Sequence, residues 1–87
     1  MDLRPDRLTI ETRECLLPGT VLSAALVMEG RALPLRLAVT ECLVTDKDRL
    51  GYVYRLRFSL ETLPEADRQI IGLFISKGRG APRLQRA

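Results

Sequence analysis

The segment from Tyr52 to Leu60 constrains the fold most, because its apolar and polar side chains alternate and a helical pattern follows directly. Every second residue of it is a large apolar one, namely Tyr52, Tyr54, Leu56, Phe58 and Leu60. The residues between them are Val53, Arg55, Arg57 and Ser59. A period of two residues is typical of a strand with one face in the core and the other in water. The segment therefore predicts a strand of an antiparallel sheet.

Three earlier segments, at about residues 8–11, 20–28 and 35–44, carry the same period. Turns separate them, at Pro18-Gly19 and at Glu29-Gly30, and the second is of hairpin type. In the third segment Glu41 falls on the apolar face. Either a β-bulge near Thr40 or an exposed strand end would account for that residue.

The residues after Leu60 change to the period of an amphipathic helix. Thr62 to Glu65 reads as a capping box with Pro64 in the first turn, and Gly78 is a good C-terminal cap. One side of this helix is predicted to carry Ala66, Ile70, Leu73, Phe74 and Lys77, widened by Ile71 and Ile75. Gly72 weakens a helix interior, which suggests close packing at that position or a short helix.

The chain has 87 residues and is predicted to form one domain. We expect a mainly β fold: a small antiparallel barrel or meander of about four to six strands, with one C-terminal amphipathic helix, over residues 1–77. Residues 78–87 are expected to be a flexible basic tail, because the acidic residues end at Asp67 while Lys77, Arg79, Arg83 and Arg86 follow. Because such a small number of strands cannot close a barrel, at least one strand edge is expected to stay open.

The residues that usually carry catalysis or bind metals are scarce. The sequence contains no histidine and only two cysteines, Cys15 and Cys42, which makes neither a zinc site nor a nucleophile with a base. We therefore predict a protein that is not an enzyme and has no metal or cofactor, and a Cys15–Cys42 disulfide stays an open alternative. No signal peptide and no apolar run of roughly 20 residues is visible, which favours a cytoplasmic location.

Four segments, at residues 2–12, 17–21, 54–58 and 69–71, follow one another in an order and spacing that resemble the PilZ domain family. This is a bacterial β-barrel module associated with cyclic di-GMP signalling. Asp2 matches the first residue of the family's D-x-S-x-x-G motif, whereas Arg4 replaces its serine and Arg7 its glycine. The family's R-x-x-x-R motif, which lies ahead of the first strand, has no counterpart here. The resemblance is therefore to a degenerate or truncated member.

This resemblance implies a regulatory or adaptor module in cyclic di-GMP, type IV pilus or motility signalling that acts through protein contacts. A protein partner at an open strand edge, including a second copy of the chain, is the expected interaction. One alternative is a genuine cyclic di-GMP receptor, and the candidate ligand-binding residues are Asp2, Arg4, Arg7, Arg79 and Arg83. Arg79 and Arg83 have R-x-x-x-R spacing, although chance explains it well in a basic tail. A small basic nucleic-acid-binding barrel is a further alternative, disfavoured because the aromatic residues alternate inward.

Overall fold

The computed structural model describes residues 1–78 and 80–86 and contains one curled, half-barrel sheet of antiparallel strands with one C-terminal helix. About 55% of the residues are in strands and 15% in the helix, so the predicted fold class is confirmed. The sheet has six strands in the order β1-β2-β5-β4-β3-β6. In chain order the elements are β1 Asp2–Leu3, β2 Arg7–Thr12, β3 Val21–Met28, β4 Arg31–Asp48, β5 Gly51–Ser59, α1 Glu65–Lys77 and β6 Arg83–Arg86.

The core lies on the concave side of this sheet, because each central strand directs alternate apolar side chains there. Phe58 of β5 is fully buried and is paired across the sheet with Leu8 of β2 and Val39 of β4. The same face carries the buried residues Leu22, Ala24, Leu26, Met28, Leu33, Leu35, Leu37, Leu56 and Leu60. The alternating apolar residues of β5 thus contribute to the core. The alternation also continues beyond the core, since Tyr52 is 47% exposed.

Of the two alternatives for Glu41, the β-bulge near Thr40 is present, because the β4–β5 register shifts between Val39 and Glu41. The Thr40 hydroxyl donates a hydrogen bond to the carbonyl oxygen of Arg57, 3.1 Å away. Beyond the bulge both strands continue as an exposed hairpin, and β4 ends at Asp48, later than predicted. Residues 43–52, called the β4–β5 arm below, include the exposed apolar side chains Leu43, Val44, Leu50 and Tyr52.

The helix begins at Glu65 with Pro64 as its N-terminal cap. The predicted capping box is wrong, because Pro64 and not Thr62 is the cap. Glu65 is then the first helical residue, and the cap forms no side-chain hydrogen bond. Gly78 at the other end has φ of 61°, and its N–H donates to the carbonyl of Ile75. This left-handed C-terminal cap is the one predicted. No helix in residues 1–78 and 80–86 is long and apolar enough to cross a membrane.

The helix packs on the core with much of the predicted stripe, because Ile70, Phe74 and Ile75 are half-buried against it. Ile71 is 1% exposed and is the buried residue of α1, whereas Leu73 is 63% exposed. The predicted stripe is thus confirmed in part and is wrong at Leu73, because the apolar stripe is broad and only the position of the sheet decides which edge of it is buried. Gly72 is also not closely packed: a Cβ atom added there meets nothing within 4 Å.

The expectation of a flexible C-terminal tail is wrong for residues 83–86. These residues form β6, which pairs antiparallel with Ala24 to Val27 of β3. Leu84 lies opposite Leu26 and packs against the core. The physical reason is that the outer edge of β3 would otherwise leave its backbone groups without a strand partner.

Candidate functional site

The two ends of the curled sheet face each other across an opening of about 480 Å³, called the strand gap below. On one side is β2, whose pairing with β1 involves only Leu8 and Thr9. The outer edge of β2 from Ile10 to Thr12 therefore has no strand partner within the described residues. On the other side is β6, the last strand in the sheet order. The gap is lined by Met1, Ile10, Glu11, Thr12, Glu14, Leu16, Leu22, Leu56, Pro82, Arg83, Leu84 and Arg86.

The floor of the strand gap is apolar and its rim is charged. Leu22 and Leu56 are buried at the bottom, while the half-buried Ile10, Leu16 and Leu84 form the walls. Across the rim, the Arg86 Nη1 donates to the Glu14 Oε2. Free backbone groups on a strand edge can bond an added extended segment, and an apolar floor can receive every second side chain of it. The geometry suits a peptide strand better than a small polar ligand.

A second cavity, the arginine groove, lies on the face of the sheet opposite the core and has a volume of about 460 Å³. Its residues come from the N-terminus, β1, β2 and β5 and are Met1, Asp2, Arg7, Thr9, Glu11, Arg55 and Arg57. Arg57 Nη1 lies 3.0 Å from Glu41 Oε2, and Arg55 Nη2 lies 3.9 Å from Glu11 Oε1. Arg57 Nε is buried with no hydrogen-bond partner in the described residues. Carboxylates thus neutralise much of the positive charge of the groove.

The five candidate ligand-binding residues from the sequence do not form one cluster. Asp2 and Arg7 both line the arginine groove. Arg4 lies between β1 and β2, and its Nε is 3.1 Å from Asp2 Oδ2, so it already has a carboxylate partner. Arg83 lies in β6 and lines the strand gap instead. Arg79 lies outside the described residues.

The two cysteines, for which the sequence left a disulfide as an open alternative, are neighbours in space but are free thiols in this structure. Cys15 Sγ and Cys42 Sγ are 3.8 Å apart, although 27 positions separate them. The hydrogen bond with Cys42, followed by burial, raises the pKa of the Cys15 thiol above its ordinary value. Tyr54 is close enough to the pair to be affected by it: burial, and then the charges of Cys15 and Cys42, raise the pKa of its hydroxyl. Nothing in the spacing of the cysteines signals this contact.

The connection between β2 and β3, residues 13–20, is tied to the β4–β5 arm by an ion pair. Arg13 donates to both carboxylate oxygens of Asp48, at 2.9 and 2.5 Å. These bonds, followed by the backbone N–H of Leu50, lower the pKa of the Asp48 carboxyl from its ordinary value. The pair is exposed, so solvent screens it.

Metal ligands and known relatives offer no further guide to the site. In the part of the chain that the structure describes, no three or more His, Cys, Asp or Glu side chains are grouped so as to hold a metal ion. Comparisons of the chain with protein-family models, with curated proteins and with solved structures found no match. The resemblance to the PilZ family therefore stays a prediction from the sequence segments.

Proposed function

We propose that this protein is a PilZ-like regulatory adaptor of bacterial cyclic di-GMP, pilus or motility signalling. It is a cytoplasmic, non-catalytic module that acts by binding another polypeptide. The proposal combines the order of the four sequence segments with the open sheet. The bound polypeptide adds an extended segment between β2 and β6 and thereby continues the sheet across the strand gap.

The observation that carries this proposal is the strand gap itself. Its two sides are strand edges, and its floor includes Leu22 and Leu56, which already belong to the core. An isolated open edge is normally protected by charge, a bulge or a covering element. Here the rim carries the Arg86–Glu14 ion pair, which an added strand would have to displace. The apolar walls Ile10 and Leu84 nevertheless stand half-buried beside the edges and would become fully buried under such a strand.

The β4–β5 arm supports a role in protein contact as well. Leu50 is 81% exposed at its end, and Val44 is 57% exposed. Lys47 Nζ lies over the Tyr52 ring at 5.3 Å from its centroid, which helps to hold that aromatic side chain at the surface. Exposed apolar side chains grouped on a projecting hairpin mark surfaces that associate with other proteins.

The receptor alternative has one observation in its favour, the arginine groove. Asp2 and Arg7 meet there, together with the unpartnered Nε of Arg57. Arg7 forms no ion pair with any described residue, so its guanidinium is free to contact a phosphate. The adaptor proposal ranks higher because carboxylates occupy the guanidinium groups of Arg55 and Arg57.

The experiment compares two neighbouring substitutions in β6. Leu84→Asp places a charge in the strand gap, whereas Gln85→Asp places the same charge on the exposed, opposite face. Each variant and the wild-type protein are used to capture partners in bacterial cells after cross-linking, with circular dichroism as the check on folding. We expect a partner that wild type and Gln85→Asp capture and folded Leu84→Asp does not. Equal capture by both variants would contradict the proposal.

A calorimetric titration of cyclic di-GMP into the whole chain, at low and at physiological salt, distinguishes the alternatives. The adaptor proposal predicts no heat of binding at either salt concentration. Saturable binding that persists at physiological salt would overturn it and support the receptor, with Arg7→Ala expected to abolish the heat. Binding that disappears with added salt would indicate only screened attraction between charges, and counts against a receptor.

A further inference from the structure

The Cys15–Cys42 thiol pair is a candidate modification site that is separate from both cavities. Neither cysteine lines the strand gap or the arginine groove. Both are free thiols with their sulfur atoms 3.8 Å apart. The contact joins distant parts of the chain, since Cys15 lies in the connection 13–20 and Cys42 lies in β4, opposite Leu56 of β5.

The local structure allows the sulfur atoms to approach bonding distance. A disulfide requires an S–S distance of about 2.0 Å, so a movement on the order of 2 Å is needed. Cys42 is held in the sheet by strand pairing, but Cys15 lies in a segment without regular secondary structure. The segment is bonded on either side of Cys15, by Arg13 to Asp48 and by the Gly19 N–H to the Val39 carbonyl. These two bonds hold the segment beside β4, so a local shift of Cys15 between them is enough to bring the sulfur atoms together.

The exposure of the two thiols suits a stepwise oxidation. Cys15 is exposed and accessible to a small oxidant, while Cys42 is half-buried directly beside it. An accessible cysteine with a second thiol within reach can form a reversible disulfide. The raised pKa of Cys15 lowers its thiolate fraction and slows the first attack, so the neighbouring thiol affects the equilibrium position and not the speed of oxidation. A buried pair, or a pair held apart by regular structure, would lack this route.

We propose that Cys15 and Cys42 form a reversible redox pair that is oxidised by low-molecular-weight disulfides. The Cys15 thiolate attacks one sulfur of the disulfide RSSR, which forms the mixed disulfide Cys15–S–S–R and releases RS⁻. The Cys42 thiolate then attacks the Cys15 sulfur, which forms the Cys15–Cys42 bond and releases a second RS⁻. Both thiol protons end on the released RSH molecules. Two electrons pass from the protein to RSSR, and two equivalents of an external thiol reverse the sequence.

Oxidation has a defined structural consequence. The flanking residues Glu14 and Leu16 line the strand gap, so the new bond ties one wall of the gap to β4. The redox pair does not depend on the proposed function, because the thiol contact exists whether or not a partner binds. Its test therefore uses the free protein alone.

The experiment equilibrates the whole chain at micromolar concentration with oxidised and reduced glutathione, then alkylates the free thiols under acid quench and measures the intact mass. We expect the wild-type protein to lose two hydrogen atoms and to resist alkylation, with little mixed disulfide. Cys15→Ser and Cys42→Ser should instead accumulate the mixed disulfide with glutathione. The neighbouring thiol of the same chain has an effective concentration on the order of millimolar. It is therefore favoured by about 1,000-fold over the thiol of a second protein molecule at micromolar concentration, and disulfide-linked dimers should be rare.

Three results would overturn the proposal. The first is a wild-type protein that keeps two alkylatable thiols in oxidised glutathione. The second is a wild-type protein that accumulates mixed disulfide to the same extent as the single variants. The third is the formation of covalent dimers, increasing with protein concentration, in place of the intramolecular bond. The wild-type measurement does not require any variant to fold.

Discussion

Replacing Ile71 by alanine tests whether α1 packs on the side that the structure gives it. Ile71 is 1% exposed and belongs to the core together with Leu8, Leu26 and Leu60. Leu73, two residues later, is 63% exposed, although periodicity placed it within the predicted stripe and Ile71 only among the residues that widen it. Both substitutions shorten an aliphatic side chain in the same helix, so the intrinsic helix propensity favours both. Only packing against the sheet separates them.

The expected magnitude follows from burial. Removing a buried isoleucine side chain costs about 2–5 kcal/mol, the lost transfer free energy plus the cavity left behind. We expect about 3 kcal/mol for Ile71→Ala, because the half-buried Ile70 and Ile75 can partly relax into the space. An 87-residue domain has a free energy of unfolding of only about 4–13 kcal/mol. The loss is thus a large share of the total. Leu73→Ala should stay within about 0.5 kcal/mol of wild type.

Urea unfolding followed by far-ultraviolet circular dichroism measures both effects. With a urea m-value on the order of 1–3 kcal/mol per molar, Ile71→Ala should lower the unfolding midpoint by at least about 1 M. The Leu73→Ala midpoint should coincide with that of wild type. Equal shifts for the two variants, or a larger shift for Leu73→Ala, would refute the packing described here and indicate that Leu73 is buried, as periodicity predicted.

Two further substitutions test the helix interior and the Arg13–Asp48 pair. Gly72→Ala should raise the free energy of unfolding by about 1 kcal/mol, because alanine favours the helix and a Cβ there meets nothing within 4 Å; a lower unfolding midpoint would show that the position is crowded. Asp48→Asn should lower the thermal midpoint at about pH 7 and have less effect at about pH 3. The folded pKa of Asp48 is depressed, so its stabilisation is present above the ordinary value of 3.8 and is lost as pH falls through the folded pKa. A difference between wild type and Asp48→Asn that is the same at both pH values would contradict that assignment.

Much of the strand architecture could be predicted from local sequence patterns. The alternation around Phe58 identifies β5 and its buried face, because side chains on a strand point to opposite sides in turn. Glu41 on an apolar face indicated either a bulge or an exposed strand end, and the register shift after Val39 shows the bulge. Gly78 marked the end of the helix, because a left-handed residue there favours glycine. Each of these features depends on the backbone geometry of a few consecutive residues.

The candidate site could be predicted only in part. An open strand edge followed from the small number of strands, but not which edges stay open. The arginines were recognisable as charges, whereas their carboxylate partners, such as Glu41 for Arg57, lie on other strands. Arg83 was expected in a flexible tail and instead lines the strand gap from β6. A short segment such as β6 has too few residues for a recognisable period.

By itself, the sequence of this protein determined a mainly β sheet, the positions of its turns, and one C-terminal helix. The tertiary structure alone decided which face of that helix is buried, that β6 joins β3, and that the ends of the sheet face each other across the strand gap. It also decided that Cys15 and Cys42 meet. The physical reason is that hydrophobic periodicity records which side of each element is apolar, while contacts between distant residues depend on register, bulges and the curl of the whole sheet.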